Sequence, residues 1–294
     1  MKNKVLASRR YRKRSQLAEI WHRLIKNKGA VAGLFIITLL VLVAISVKHI
    51  LNYDTQVVAQ HITERLQKPS GQHIMGTDNL GRDIFFRLLY GTRFSLAVGL
   101  VAVAIALTIG TTLGAIAGYY GGVISDVIMR TTDIFFAVPN LLMAIVIVTA
   151  LGANTLNLMI AVGVASVPQF VRITRATVLT VRNQEYVEAA RAIGRNEFAI
   201  IFFHILPNCL SPIIVMVTLR IASAIITASS LSFLGMGVPP PAPEWGSMLS
   251  DGRRFLRGYS YITLFPGLAI MITVLAFNLV GDALRDALDP KLKK

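Results

Sequence analysis

The sequence has little cysteine and little charge. Cys209 is the single cysteine in 294 residues, which excludes an internal disulfide framework and a Cys-rich zinc or iron–sulfur centre. The five histidines are scattered without the spacing of metal ligands, so we predict no metal site. Charged residues make up 15% of the chain and hydrophobic residues 54%, a composition too apolar for a soluble domain of this size. We therefore expect an integral membrane protein.

The sequence also lacks the motifs of common enzymes. It contains no Gly-Lys dipeptide, which excludes a Walker A phosphate-binding loop. It has neither a nucleophile elbow nor a metalloprotease helix, and its apolar stretches carry no paired carboxylates. We predict that the chain is not an enzyme and that it cannot hydrolyse ATP alone.

Positive charge is plentiful, with 30 Lys and Arg against 15 Asp and Glu. Ten of the basic residues precede residue 30, directly before the first apolar run. A basic segment beside a membrane span usually lies against anionic lipid headgroups on the cytoplasmic side. No nucleic-acid recognition motif accompanies the charge, so we expect the lipid bilayer, and not a nucleic acid, as the partner of this segment.

Charge-free apolar stretches predict six membrane spans, because about 20 apolar residues cross a bilayer. The predicted spans are 30–47, 94–118, 134–151, 156–170, 212–231 and 261–280. The third and fourth spans come from one run that is too long for a single crossing, and Gly152 to Asn154 supply the turn between them. Both termini are expected in the cytoplasm, because the segments on that side carry 20 Lys and Arg and the opposite segments carry eight.

This pattern divides the chain into three parts. They are a basic cytoplasmic segment 1–29, a first span with its extracytoplasmic loop 30–93, and a five-span core 94–294. In the second span, Gly110, Gly114 and Gly118 recur every four residues, which places them on one helical face and predicts close helix packing. Pro139 and Pro168 are expected to kink the spans that contain them.

The loop 171–212 between the fourth and fifth spans has the pattern of a structured helix. Asn183 is expected to cap its start, and Gly194 to end it in a left-handed conformation. Ala189 and Ala190 are small, so a partner surface could approach closely there.

A second apolar helix, 198–206, is expected to follow and to stop or kink at Pro207. From the residues alone, two interpretations of the first helix stay open. It is either gripped by a partner, or it is an amphipathic helix that rests on the headgroups.

The same loop carries a recognisable motif. The run Glu-Ala-Ala at 188–190, Gly194, then His-Ile-Leu-Pro at 204–207 resembles the EAA loop of ATP-binding-cassette importer permeases, with His204 in place of the usual Ile. Further segments resemble the dipeptide/oligopeptide/nickel branch of that family. They are MGTDNLGRD at 75–83, LLYG at 88–91, FLGMG at 233–237, PEWG at 243–246 and GDALRDALDP at 281–290.

The resemblance implies an all-α membrane protein with six transmembrane helices, a MetI-like type I importer permease fold and a cytoplasmic coupling helix from Glu185 to Gly194. In such permeases this helix docks on an ATPase subunit, which binds the ATP and Mg²⁺, so this chain holds no cofactor. The residues that the resemblance assigns to docking are Glu185, Glu188, Ala189, Ala190, Gly194, Leu206 and Pro207.

The implied partners are a second homologous permease subunit, two ATPase subunits and an extracytoplasmic solute-binding protein, in a bacterial inner membrane. The implied cargo is short peptides, with nickel chelates or cationic peptides as alternatives. A membrane channel or scaffold without an ATPase partner is the alternative from another class.

Two further groups of residues are candidates for function. Arg220 lies inside the fifth span, where an unpaired charge is costly; it either faces the translocation cavity, snorkels, or pairs with an acid from another helix. Asp78, Arg82 and Asp83 lie in the extracytoplasmic loop, where they could form an external gate, touch a solute-binding protein or serve as a structural cap.

Overall fold

The computed structural model describes residues 16–288, which are helical apart from turns, loops and an isolated bridge between Thr77 and Asp83. The basic segment expected at 1–29 and the motif at 281–290 therefore lie partly outside the described residues. The helices are α1 Gln16–Lys26, α2 Lys28–Ile50, α3 Ile84–Tyr120, α4 Gly122–Ala137, α5 Asn140–Leu151, α6 Thr155–Val181, α7 Glu185–Ala192, α8 Glu197–Ala199, α9 Leu210–Phe233, α10 Trp245–Gly252 and α11 Tyr261–Leu288.

The all-helical membrane architecture is confirmed. Within residues 16–288, five helical stretches are long and apolar enough to cross a membrane: α2, α3, α6, the continuous stretch from α8 through α9, and α11. The sixth candidate span is the pair of α4 and α5, which meet at an angle of 93°.

The third span differs from the single kinked helix expected over 134–151. α4 ends at Ala137, and the backbone of Val138 and Pro139 is extended before α5 begins. Pro139 lacks an N–H group and disfavours the helical conformation in the residue before it, so the helix breaks where only a kink was expected. Pro168, by contrast, lies inside the continuous helix α6.

α3 and α6 are longer than the spans predicted for them. α3 begins at Ile84, and the Asp83 carboxylate caps it by accepting hydrogen bonds from the backbone N–H groups of Phe85 (2.8 Å) and Phe86 (3.2 Å). α6 continues to Val181. The predicted boundaries marked the charge-free core of each helix, whereas the helices themselves continue into the polar regions on either side.

The glycine face of α3 packs directly against α6, as predicted. A Cβ atom added at Gly114 would lie 2.6 Å from the carbonyl oxygen of Val171 and 2.8 Å from Cβ of Thr174. Apolar side chains give helices little reason to associate in lipid, so close approach of the backbones is what holds such a pair together. α3 and α6 therefore form a closely packed central pair.

We expect Gly114→Ala to destabilise the protein by about 1–3 kcal/mol, because the added methyl group must separate α3 from α6. Gly267→Ala is the matched control, since an added Cβ in α11 would meet nothing closer than 3.9 Å. Thermal unfolding of the detergent-solubilised variants measures the difference. Equal unfolding temperatures for Gly114→Ala and the parent protein would contradict the packing argument.

Candidate functional site

α7 begins without a side-chain cap. Gln184 is the N-cap residue, with an extended backbone, and its side chain makes no capping hydrogen bond. The prediction that Asn183 caps the helix is therefore wrong by one position. Glu185 and Glu188 lie in the first turn, where their negative charge complements the positive end of the helix dipole.

α7 ends at Ala192, and Gly194 provides the left-handed residue that terminates it, as predicted. Gly194 has a φ of +74°, its N–H donates to the carbonyl of Arg191 at 2.9 Å, and the N–H of Arg195 donates to the carbonyl of Ala190 at 3.1 Å. This pair of hydrogen bonds is a Schellman motif, which favours glycine because side chains strain the left-handed conformation. The end of α7 is therefore sharply defined.

One face of α7 is buried against the segment that follows it and the end of α3. Val187 and Ala190 belong to an apolar cluster with Ile200, Ile205 and Tyr119 of α3. The Arg191 guanidinium lies 5.0 Å from the centroid of the Tyr119 ring, and its Nε donates to the Tyr119 hydroxyl at 3.4 Å. Protein thus covers these apolar side chains, whereas a helix resting on headgroups would bury its apolar face in lipid.

The opposite face of α7 is open. Glu185, Glu188 and Ala189 are exposed, whereas Ala190 is only 4% exposed and so is not available to a partner. Ile193 is 81% exposed and follows Glu185 and Ala189 at spacings of eight and four residues, which places all three on one face. Ile193 was not among the predicted docking residues, although its spacing is visible in the sequence.

After the turn at Gly194, the chain is helical without interruption from Glu197 to the end of the fifth span at Phe233. A π-helical stretch, Ile200–Ile205, and a 3-10 turn, Leu206–Cys209, join α8 to α9. Pro207 lies exposed in that turn, and Leu206 packs against the cluster below α7. The expected stop or kink at Pro207 is instead a change of helix type within one helical stretch, Glu197–Phe233.

Arg220 lies in the middle of α9 and is half-buried. Its Nε atom lies 3.4 Å from the sulfur of Met216. Among the residues that the structure describes, no carboxylate lies within ion-pair distance of its guanidinium. The expected alternative of an acidic partner on another helix of this chain is therefore not observed.

At the other end of the bundle, Asp78 and Arg82 are buried, not displayed at the surface. Arg82 Nε donates to Asp78 Oδ2 at 2.6 Å, and Arg87 Nε lies 3.5 Å from the same oxygen. The Arg82 guanidinium also reaches Asp251 of α10 at 3.3 Å. Asp83 accepts from His73 Nδ1 at 2.8 Å in addition to capping α3. These contacts brace the loop against α3 and α10.

α10 is held by a second buried carboxylate, Glu244, which is 1% exposed. One Glu244 oxygen accepts from the backbone N–H of Ser247 at 2.9 Å, and the other accepts from the hydroxyl of Ser95 on α3 at 3.3 Å. The pKa of the Glu244 carboxyl is raised above its usual value, because burial disfavours the charged form. Hydrogen bonds, first among them one from the backbone of Gly246, oppose this shift only in part. Glu244 and Asp251 were not predicted because their partners Ser95 and Arg82 are distant in the chain. Arg87 was also not predicted, although its partner Asp78 is only nine residues away.

These features define a membrane protein with a short helix, exposed on one face, at one end and a braced loop layer at the other. The family model described as "Binding-protein-dependent transport system inner membrane component" matches residues 110–294, and the model described as "N-terminal TM domain of oligopeptide transport permease C" matches residues 15–69. The chain belongs to this family of binding-protein-dependent transport permeases. It is thus a multi-pass inner-membrane permease subunit of an ABC importer, and the ATPase activity and the nucleotides belong to partner subunits.

Related proteins cover nearly the whole chain. The glutathione transport system permease protein GsiD of Pectobacterium atrosepticum is 46% identical over 281 residues, covering 95% of this chain and 93% of that protein. The dipeptide transport system permease protein DppC of Alkalihalophilus pseudofirmus is 48% identical, covering 94% and 90%. The DppC protein of Haemophilus influenzae is 42% identical, covering 96% and 97%.

A solved structure supports the fold. A chain of the inward-facing MetNI methionine ABC transporter aligns with a TM-score of 0.57 at 16% identity, covering 70% of this chain and 98% of that chain. The expected MetI-like fold is therefore confirmed. At this identity the likeness concerns the fold alone.

We expect Asp78→Asn to cost about 3–5 kcal/mol, because it leaves Arg87 buried without a counter-charge and Arg82 with only its longer contact to Asp251. Asp133→Asn is the matched control: the Asp133–Arg172 pair has the same 2.6 Å separation, but both of its side chains are substantially exposed. An exposed pair contributes at most about 1 kcal/mol. Thermal unfolding tests this, and similar losses in both variants would contradict a buried brace.

Proposed function

We propose that this permease subunit and a second homologous permease subunit together form the pathway for short peptides across the inner membrane. Two ATPase subunits drive the pathway from the α7 end, and an extracytoplasmic solute-binding protein delivers cargo to the α10 end. Membership of the family of binding-protein-dependent permeases supports ATPase and binding-protein partners, and it does not favour a channel or scaffold.

The proposed orientation places both termini and α7 in the cytoplasm. The distribution of Lys and Arg supports it, because the segments assigned to that side carry most of the basic residues. The same assignment supports the three-part division into a basic segment 1–29, a first span with its loop 30–93, and a core 94–294.

The proposed coupling surface is the open face of α7, with Glu185, Glu188 and Ala189 in contact with the ATPase and Ile193 as an apolar tip. This face is the observation that carries the proposal, because the opposite face is buried in a cluster with the end of α3 and with the segment that continues into α9. A force applied to α7 would therefore reach two spans. Gly194, Leu206 and Pro207 act by fixing the shape of this connection, and Ala190 acts by anchoring it.

The proposed cargo is a short peptide. The relatives at 42–48% identity are permeases of dipeptide and glutathione systems, and glutathione is itself a peptide. Nickel chelates and cationic peptides are the competing cargoes. Competition between labelled dipeptide and unlabelled peptide, glutathione or nickel distinguishes them.

We expect Glu188→Lys to abolish uptake of a labelled dipeptide in a strain that lacks the chromosomal copy, because it reverses the charge of the docking face. Membrane insertion should be unchanged, since the substitution alters no span. Uptake, the amount of membrane-inserted protein and co-purification of the ATPase subunits are the measurements.

Asp286→Lys is the matched control, because Asp286 is an exposed acid at the same end of the bundle, on α11. It should transport normally. Normal uptake by Glu188→Lys would remove Glu188 from the docking surface. Competition by nickel and not by peptides would contradict the proposed cargo.

A further inference from the structure

Polar side chains form a track along one face of α9. Arg220, Ser223, Thr227 and Ser230 follow one another at spacings of three, four and three residues, which places them on one side of the helix. Ser223 is exposed, and the other three are half-buried. No other side of this apolar span carries a charged residue.

The charge of Arg220 indicates what this face meets. Arg220 is the eleventh residue of α9, about 15 Å of helical rise from Leu210. An unpaired arginine in the centre of a span costs about 2.5–3.5 kcal/mol on insertion scales, so such residues usually face a bundle interior or a water-filled cavity. Because no described carboxylate pairs with Arg220, this face requires a polar environment or a ligand from outside the chain.

The hydroxyl groups extend the track with acceptor oxygens. Thr227 donates its hydroxyl hydrogen to the carbonyl of Ser223 at 3.0 Å, and Ser230 donates to the carbonyl of Ile226 at 2.8 Å. Both hydroxyl oxygens retain lone pairs that can accept from an N–H group. Arg220 offers only donors, so the track has a carboxylate-binding end and an end that receives ammonium or amide hydrogens.

The acceptor end of the track opens into a cavity of about 420 Å³ between α5, α9, α10 and α11. Ser230 lines it together with Ile226, Phe233 and Leu141. Its volume lies in the range of small-molecule sites, about 300–1,000 Å³. Ser229 also lines this cavity; it is 6% exposed, and its hydroxyl has no hydrogen-bond partner in the described part of the chain.

We propose that this track receives the peptide cargo during transport, with Arg220 binding the terminal carboxylate. The Thr227 and Ser230 hydroxyls, about 10 and 15 Å further along the helix, accept from N–H groups of peptides long enough to reach them. This inference rests on the proposed peptide cargo. Beyond the peptide cargo, it assigns recognition of the peptide's negative end to the permease itself, at mid-membrane, through one arginine.

The test uses the complete transporter with its binding protein in proteoliposomes, and it compares a dipeptide with the same dipeptide amidated at its C-terminus. Binding protein saturated with each cargo is used, so that its own selectivity does not enter the rates. Arg220→Leu should lower transport of the free dipeptide about tenfold or more, because a hydrogen-bonded charge contact is lost. It should change transport of the amide much less.

Arg220→Leu removes a charge from a span, so insertion should not suffer. Arg220→Lys should keep most of the transport of the free dipeptide. Thr218→Val is the control on another face of α9 and should transport both cargoes normally. ATP hydrolysis stimulated by the loaded binding protein should persist in Arg220→Leu, which shows that coupling through α7 is intact.

Equal transport by Arg220→Leu and the parent protein would overturn the inference, and so would an equal loss for both cargoes. In either case the proposed function would stand, because the parent protein would still transport the dipeptide. Failure of the parent transporter to move either peptide would overturn the proposed cargo, and the inference with it.

Discussion

The burial of Val187 and Ala190 in the apolar cluster that includes Ile200, Ile205 and Tyr119 is the packing on which the proposed mechanism depends. A helix of eight residues is too short to be stable in water without tertiary contacts, so α7 exists because this cluster holds it. The same packing attaches α7 to the membrane bundle. Without it, a force that a partner applied to α7 would unfold the loop and would not move the membrane spans.

The two ends of the bundle are stabilised by different interactions. At the α7 end, an apolar cluster holds one face of α7 and leaves the other exposed, and a Schellman motif terminates the helix. At the α10 end, the buried carboxylates of Asp78 and Glu244 tie loops and helices to α3. Between them, the glycine face of α3 lies against α6 so closely that a methyl group would not fit. Together these contacts make α3 a continuous rigid link between the two ends.

Much of this arrangement could be predicted from the sequence, because local rules govern it. Apolar length predicted the five to six candidate spans, the four-residue spacing of glycines predicted that α3 packs closely against another helix, and Gly194 predicted the termination of α7. The break at Pro139 was underestimated because a proline can either kink or end a helix, and only the surrounding packing decides. The one-residue error at Asn183 is a matter of backbone conformation, which the residue type does not determine.

Long-range contacts could not be predicted from one sequence. Asp251 meets Arg82 across 169 positions of the chain, and Ser95 meets Glu244 across 149. The residues around each position do not indicate which distant residue it will contact. For the same reason Ala190 was expected to face a partner, whereas it is buried in an apolar cluster of this chain. Ile193 was overlooked although it is the most exposed apolar side chain of this region.

The most direct measurement is site-specific cross-linking of α7 to the ATPase subunits in a Cys209→Ser background. Single cysteines at the exposed positions Ala189 and Ile193 should form cross-links in the active transporter, and a cysteine at the buried position Val187 should not. If no exposed position of α7 forms a cross-link to an ATPase subunit while the same transporter still imports its cargo, α7 is not the coupling helix, and the account of coupling is wrong.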